Sequence, residues 1–395
     1  MSKSKIHIPE ISGTKYKSIE KLRTMENPIL YAQKSVYIPD VSIKDLKKLF
    51  TNTLPERDPI IGKKEEDIAN VLQVMSDPRY RRWSLSYMQE YTELSDIIAK
   101  GMQYRKNVMD GWIGFMKKKE IKIVLPAFAN KSYNPLKSTK RDPDIGEISS
   151  LLHLSGMCRD IEQVYWAPVR LTIVTDGVVY APLFDEPIEE VRKYRVSLEW
   201  LVKDLELQEN ITIVDMEDII ASQFSWFYQH YAKKLQDIEK SWNIIKLQSQ
   251  VRNLYENTIH NINLSGYTQQ ELIDILILNK DSYERSEIYK RAEDATQKYM
   301  AFVQSLYDLQ VIKNTFPNHI RATCHPKPGQ WWINLVNKNS YNYPYNWVGY
   351  RNGHTVKVKN EIDMIVDKMT PIRIWEDKQF LMYTKNECIS DLSAS

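Results

Sequence analysis

The apolar positions along the chain change period several times, and each change marks a different kind of element. Residues 1–65 hold no sustained period and carry Pro9, Pro28, Pro39, Pro55 and Pro59. They read as a polar, irregular wrapping arm with one short helix near Ser42–Phe50. From Lys64 to about Lys119 the spacing is helical, through Ile68, Val71, Leu72 and Val74 and then Leu85, Met88, Tyr91 and Leu94. Ile121–Leu125 is a short β-branched run, the mark of a buried strand. Gly146–Val164 returns to helical period, and Val169–Thr175 is a second strand. Pro187 opens a helix running to about Leu207, and Ile211–Val214 is a third strand.

This strand–helix alternation predicts a parallel α/β sheet. Ligands of such sheets sit outside the carboxyl ends of the strands. The segments there are Pro126–Lys131, Asp176–Gly177 and Asp215. Residues 216–315 read as largely helical, with Ser222–Ser249 and Asp281–Lys313 as long amphipathic helices. After Phe316-Pro317 the period turns to two, and His319–His325, Trp331–Val336, Val348–Arg351 and Thr355–Val358 read as strands, with Gly353 turning the last pair. The expected architecture is a Rossmann-like parallel sheet core with a helical N-terminal region, a long helical insertion and a β-rich C-terminal part. The expected boundaries are 1–119 for the arm and helical region, 120–384 for the α/β domain and 385–395 for a loose tail.

Composition narrows the function. Lys+Arg 54 against Asp+Glu 51 leaves +3, too balanced for a chain that coats nucleic acid or an anionic membrane. The basic–aromatic run Arg79–Trp83 is a solvated helix face or, less in keeping with that balance, a nucleic-acid patch. Only 12 of 395 residues are glycine and none stand as G-x-G, which argues against a dinucleotide fingerprint and a P-loop. The 24 Tyr and 10 Trp fill a large core or line a pocket. Cys158, Cys324 and Cys388 are far apart, so neither a disulfide framework nor a zinc cluster is expected. With no apolar leader at the N-terminus and no long apolar span, the expectation is a soluble, cytoplasmic protein that meets neither membrane nor nucleic acid.

Four segments carry chemistry. In Pro126–Ser132 (PAFANKS), Lys131 at a strand end suits a phosphate or an imine, or is a plain surface lysine. In Asp142–Glu147 (DPDIGE), the carboxylates suit Mg²⁺ or acid/base work, or simply cap a helix. Thr175-Asp176-Gly177 is an active-site edge or a turn. In Arg321–Pro326 (RATCHP), a strand puts Arg321, Thr323 and His325 on one face, pairing a guanidinium with an imidazole, and turns Cys324 away.

Taken in order, PAFANKS, PDIGE, TDG and FPNHIRATCHP resemble the isocyanide (isonitrile) synthase family, also called the pyoverdine/dityrosine biosynthesis family. The resemblance covers roughly residues 120–375 and marks a divergent member. It implies an enzyme of secondary metabolism that builds an isocyanide on an aromatic amino acid, usually tyrosine or tryptophan. Ribulose 5-phosphate is the implied carbon donor, with no organic cofactor, and the sequence gives no reason to expect a metal beyond the Asp142/Asp144 pair. The amine is thought to condense with the C2 ketone, and eliminations and carbon–carbon cleavages leave C2 as the isocyanide carbon. A fungal branch gives N-formyl-tyrosine instead, and a non-catalytic relative is a third possibility. An iron/2-oxoglutarate oxygenase is the implied pathway partner.

Carried onto this sequence, Lys131, His325 and Asp176 are the catalytic candidates. Ser132, Asp144, Glu147, Arg321 and Asn346 are the substrate-binding ones. Lys131 and Arg321 would hold the phosphate or carboxylate, His325 would move protons, and Asp144, Glu147 and Asp176 would orient the amine. Lys131→Ala is expected to abolish turnover with the fold intact. The sequence departs from the family pattern at Ala129-Asn130, where Pro-Cys is usual, and at Asn346, where histidine is usual.

Overall fold

The computed structural model describes residues 36–38, 71, 74, 75, 77, 79, 80, 120–165, 167–279, 281–324, 330–336, 343–352, 355–375 and 379–385. The expected helix at Ser42–Phe50, most of the Lys64–Lys119 helices, His325, Gly353 and the tail beyond Lys385 lie outside them.

Strands β2 (Ile121–Pro126), β3 (Val169–Thr175), β4 (Ile211–Asp215), β5 (Ile320–Thr323) and β6 (Trp331–Trp332) form a wholly parallel sheet in the order β4-β3-β2-β5-β6. Both faces are covered, which is why these strands read as near-continuous apolar runs. On one face, Ile121, Ile123 and Leu125 pack against helix α1 (Ile145–Val164) and the Tyr194, Leu198 and Leu201 side of a later helix. On the other, Val124 and Val174 meet Met216, Ile220, Phe302 and Val311. The chain starts at β2, works outward through β3 and β4, and then returns to the far side of β2 as β5. The order reverses between β2 and β5, where such sheets hold their ligands.

The short helix α2 (Gly177–Tyr180) and α3 (Ile188–Asp204) link β3 to β4. The helical insertion then runs through α4 (Met216–Gln223), α5 (Phe227–Ile245), α6 (Ser249–Ile259), α7 (Gln269–Ile273), α8 (Tyr283–Asp308) and α9 (Val311–Thr315). The two long helices expected here are each broken. Ser222–Ser249 is interrupted at Phe224–Trp226, and Asp281–Lys313 at Gln310, which takes a left-handed φ of 49°. Neither break carries Gly or Pro, so periodicity ran straight across it.

A second, mixed sheet has the order β1-β9-β10-β7-β8, from β1 (Val36–Ile38), β7 (Val348–Asn352), β8 (Thr355–Lys359), β9 (Thr370–Trp375) and β10 (Gln379–Thr384). Helix α10 (Glu361–Val366) joins β8 to β9. The reading of residues 1–65 as irregular missed β1, which pairs in parallel with β9. Helix α1 lies between the two sheets, and sixteen of its twenty residues are buried. Its packing leaves no room beside Gly349, where an added Cβ would stand 2.8 Å from the Gly146 nitrogen. Among the described residues of the Arg79–Trp83 run, Arg79 pairs with Asp77 at 2.6 Å and Tyr80 donates to Asp160, so this stretch docks on the protein itself. Among the described residues, no helix is long and apolar enough to cross a membrane.

Candidate active site

The loop leaving β2 turns sharply. Phe128 is fully buried with φ 62°, a conformation costly for a bulky residue, and its ring lies 5.7 Å from that of Tyr345. The Ala129 carbonyl then presses on the first residue of α2. A Cβ added at Gly177 would sit 1.7 Å from that oxygen, so only glycine fits. The Asn130 amide donates to Glu186 Oε2 at 2.6 Å.

Lys131 follows, and neither the ligand-facing nor the surface reading describes it. Its side chain is fully buried. Nζ lies 2.8 Å from each Glu147 oxygen, 3.2 Å from Asp144 Oδ2 and 2.6 Å from the Pro344 carbonyl. The three ammonium donors are therefore spent inside the protein. Asp144 caps α1 by accepting from the Gly146 N–H at 2.7 Å, and Glu147 completes a capping box by accepting from the Asp144 N–H at 2.9 Å. Tyr194, on the buried side of α3, donates to Glu147 Oε1 at 3.0 Å. Burial pushes the Glu147 carboxyl up to about 8, with Lys131 opposing and Asp144 adding to the rise. The same helix cap thus serves as counter-ion to the lysine, and capping and ion binding are one arrangement here. Asp142 is exposed and stands apart from it. Among the described residues, no group of three or more His, Cys, Asp or Glu gathers to hold a metal.

Ser132 is buried in the turn, its hydroxyl accepting from the Asn134 N–H at 3.3 Å and its carbonyl from Arg141. Asn346 lies in the Tyr343–Trp347 turn, beside the Pro344 carbonyl that binds Lys131. Burial pulls the Lys140 amine below its ordinary range, against the attraction of Asp144.

A second constellation occupies the carboxyl edge. Asp176 is half-buried at the end of β3. Its charge acts on Tyr180 and Tyr299, whose hydroxyls are pushed up first by burial and further by Asp176, and on Tyr345, which burial, Cys324 and Tyr343 raise more. The rings of Tyr180 and Tyr299 lie 5.3 Å apart, with Phe184 and Phe302 extending the wall. Arg321 stands opposite Val124 in the sheet register, its guanidinium 5.6 Å from the Tyr307 ring centroid. Burial lowers its pKa against the opposing influence of Tyr307, and its Nε is buried with no hydrogen-bond partner. No carboxylate of the described residues pairs with it. Tyr307, whose ring lies beside Arg321, also raises Tyr180 and Tyr299, so these two tyrosines feel both it and the Asp176 charge. Asp215 is structural instead: it caps α4 through the Glu217 N–H at 2.7 Å and accepts from Thr175 at 3.2 Å.

The structure thus brings Lys131, Asp144, Glu147 and the Asn346 turn together, and separately sets Asp176 and Arg321 around one group of tyrosines. Sequence reasoning missed Tyr194, Tyr299, Tyr307, Glu186 and the Pro344 carbonyl. Tyr194 was readable as a tyrosine on a helix's buried face, which needs a polar partner. The others meet the site only through tertiary contacts.

Residues 114–366 match the family described as pyoverdine/dityrosine biosynthesis protein. An L-tryptophan isonitrile synthase of Fischerella ambigua is 26% identical over 211 residues, 52% of this chain and 59% of that protein. An L-tyrosine isonitrile synthase of Pseudomonas aeruginosa is 26% identical over 222 residues, 53% of this chain and 61% of that protein. The chain therefore spans less than two thirds of the length of these curated relatives. The crystal structure of the PvcA protein from Pseudomonas aeruginosa superimposes with a TM-score of 0.63 at 18% identity, over 80% of this chain and 99% of that one, so the two share a fold.

Proposed function

The chain belongs to the pyoverdine/dityrosine biosynthesis protein family, and from that premise we propose that it is an isocyanide synthase. It converts the amino group of tyrosine or tryptophan to an isocyanide, with ribulose 5-phosphate as carbon donor. The observation that carries this reading is the buried Arg321 on β5, which has no carboxylate partner among the described residues and lies beside the Tyr307 ring, on a parallel sheet whose strand β3 ends at Asp176. Asp176 takes the substrate ammonium and then receives its proton. Arg321 takes an anion, the amino acid's carboxylate or the sugar's phosphate. The Tyr180–Tyr299–Phe184 wall accepts a flat aromatic side chain. His325, at the end of the matching motif, supplies an imidazole for proton transfer near neutral pH. Lys131, Asp144 and Glu147 act behind this surface, holding the β2 loop and the start of α1 in register, with Ser132 and Asn346 at their flanks.

The relatives named as tryptophan and tyrosine isonitrile synthases support the choice of amino acid. The carbon comes from the co-substrate, so the reading calls for no organic cofactor. A cytoplasmic setting, in which the buried free Cys158 and Cys324 stay reduced, and a downstream iron/2-oxoglutarate oxygenase complete it. The test is mass spectrometry after incubation with tyrosine or tryptophan and ribulose 5-phosphate labelled at C2. One labelled carbon on the amine nitrogen, as isocyanide, is the expected result. A product heavier by one water is the formamide and redirects the outcome to N-formylation. No labelled product with either amino acid overturns the reading.

A further inference from the structure

The contact between Asn130 and Glu186 is not used by the chemistry above, yet the fold builds it at some cost. Both side chains are only 9% exposed. The Asn130 amide bridges Glu186 Oε2 at 2.6 Å and the Lys131 carbonyl at 3.0 Å. Immediately before Glu186, Asp185 takes φ 57°, the left-handed region that Asp tolerates better than most residues with a side chain but still seldom adopts. Several contacts hold that turn. The Glu186 N–H donates to the Ala181 carbonyl at 2.8 Å, Asn263 donates to the Asp185 carbonyl at 2.9 Å, and Arg291 Nε donates to the Asp185 carboxylate at 3.1 Å. A strained residue persists only where its surroundings over-determine it. Here the helical insertion, through Asn263 and Arg291, fixes a turn whose product is a buried carboxyl aimed at the loop after β2. That loop is itself strained at Phe128 and carries Lys131 next.

We propose that Glu186 is a positioning residue: by fixing the Asn130 amide it sets the path of residues 127–132, and through them the place of Lys131 and of the Phe128 ring against Tyr345. Arg141 and Lys137 on the following loop and the Tyr133 hydroxyl are the titratable groups near Glu186. The consequence for turnover rests on the isocyanide synthase reading, whereas the order of the loop does not.

The experiment compares the full-length wild type with E186A, E186Q, N130A and the E186A/N130A double variant, by hydrogen exchange of the peptide spanning residues 126–133. E186A is expected to speed exchange there roughly tenfold, the factor set by one lost buried hydrogen bond. N130A should match it, and the double variant should add nothing further. E186Q should retain wild-type protection, because its amide oxygen accepts the same hydrogen bond. Should E186A not fold, N130A and E186Q carry the comparison. Unchanged exchange in E186A or N130A overturns the proposal, as does additivity in the double variant. Turnover, read beside exchange, should fall in kcat for E186A and be rescued in E186Q. Loss of turnover in E186Q with wild-type exchange makes Glu186 a proton-transfer group and overturns the positioning role. A wild type that makes no product overturns the proposed function alone, and exchange still decides this one.

Discussion

Replacing Lys131 with methionine probes a fully buried lysine. The substitution keeps the length of the side chain and removes the ammonium that lies 2.8 Å from Glu147 and 3.2 Å from Asp144. The two fully buried acidic side chains of Asp144 and Glu147 then face each other without their cation, and the Pro344 carbonyl loses its donor. Breaking a buried ion pair from one side costs about 3–5 kcal/mol, against a total stability of about 5–15 kcal/mol. K131M therefore loses a large fraction of its stability, and turnover falls because folded protein falls. This revises the expectation of an intact fold. Urea unfolding followed by tryptophan fluorescence measures the loss. E147Q keeps an acceptor for the lysine and should cost only about 1–3 kcal/mol. In K131M/E147Q one stranded charge is gone, so the two losses should add to more than the double variant shows, with a coupling of about 0.5–3 kcal/mol. A K131M loss below about 1 kcal/mol, or strict additivity, would refute the buried three-way pairing.

Arg321→Met should leave the unfolding midpoint nearly unchanged, since no carboxylate of the described residues pairs with it, and should raise KM at least roughly tenfold, as losing a hydrogen bond to a charged group does; steady-state kinetics beside a melt separates the two. Gly177→Ala forces a Cβ to 1.7 Å from the Ala129 carbonyl, so it should cost at least about 3 kcal/mol or yield insoluble protein, read by soluble yield and denaturation. Burial holds the Glu186 carboxyl up to about 8, against 4.5 in the unfolded chain. Between those values the folded chain keeps a proton that the unfolded chain has released, so this group's contribution to stability falls as pH rises from about 4.5 to about 8. E186Q cannot titrate, so the stability of the wild type relative to E186Q should decline across that window; a constant difference would mean Glu186 is not held protonated.

The parallel core was legible because Ile121–Leu125, Val169–Thr175 and Ile211–Val214 are short runs dominated by apolar and β-branched residues, most of them buried in β2 and β3. Helix α1 was equally plain, and Asp144 named its start. Strands β9 and β10 were not read: Thr370–Trp375 carries a proline at its second position, which argues against an inner strand, yet β9 lies inside the sheet between β1 and β10. The breaks at Phe224–Trp226 and Gln310 follow from packing and left no local mark. In the site, Lys131, Asp144 and Glu147 were each named from their segments. Their mutual neutralisation was hidden, because it depends on Pro344 and Tyr194 arriving from far along the chain. His325 was named from its motif and lies outside the described residues. Glu186 sits in no motif, and its burial depends on a turn that Asn263 and Arg291 hold from another part of the fold.

The register that sets Val36 opposite Ile372 joins two strands that stand far apart along the chain. A ribosome adding about 5–20 residues per second spends roughly 15–70 s between them. Throughout that interval β1 lacks β9, and in its later part β2, β3 and β4 have all been made. The parallel strands β2 to β4 are therefore available to fold before the mixed sheet can close, and until β9 is made β1 is an open edge that a chaperone has reason to cover.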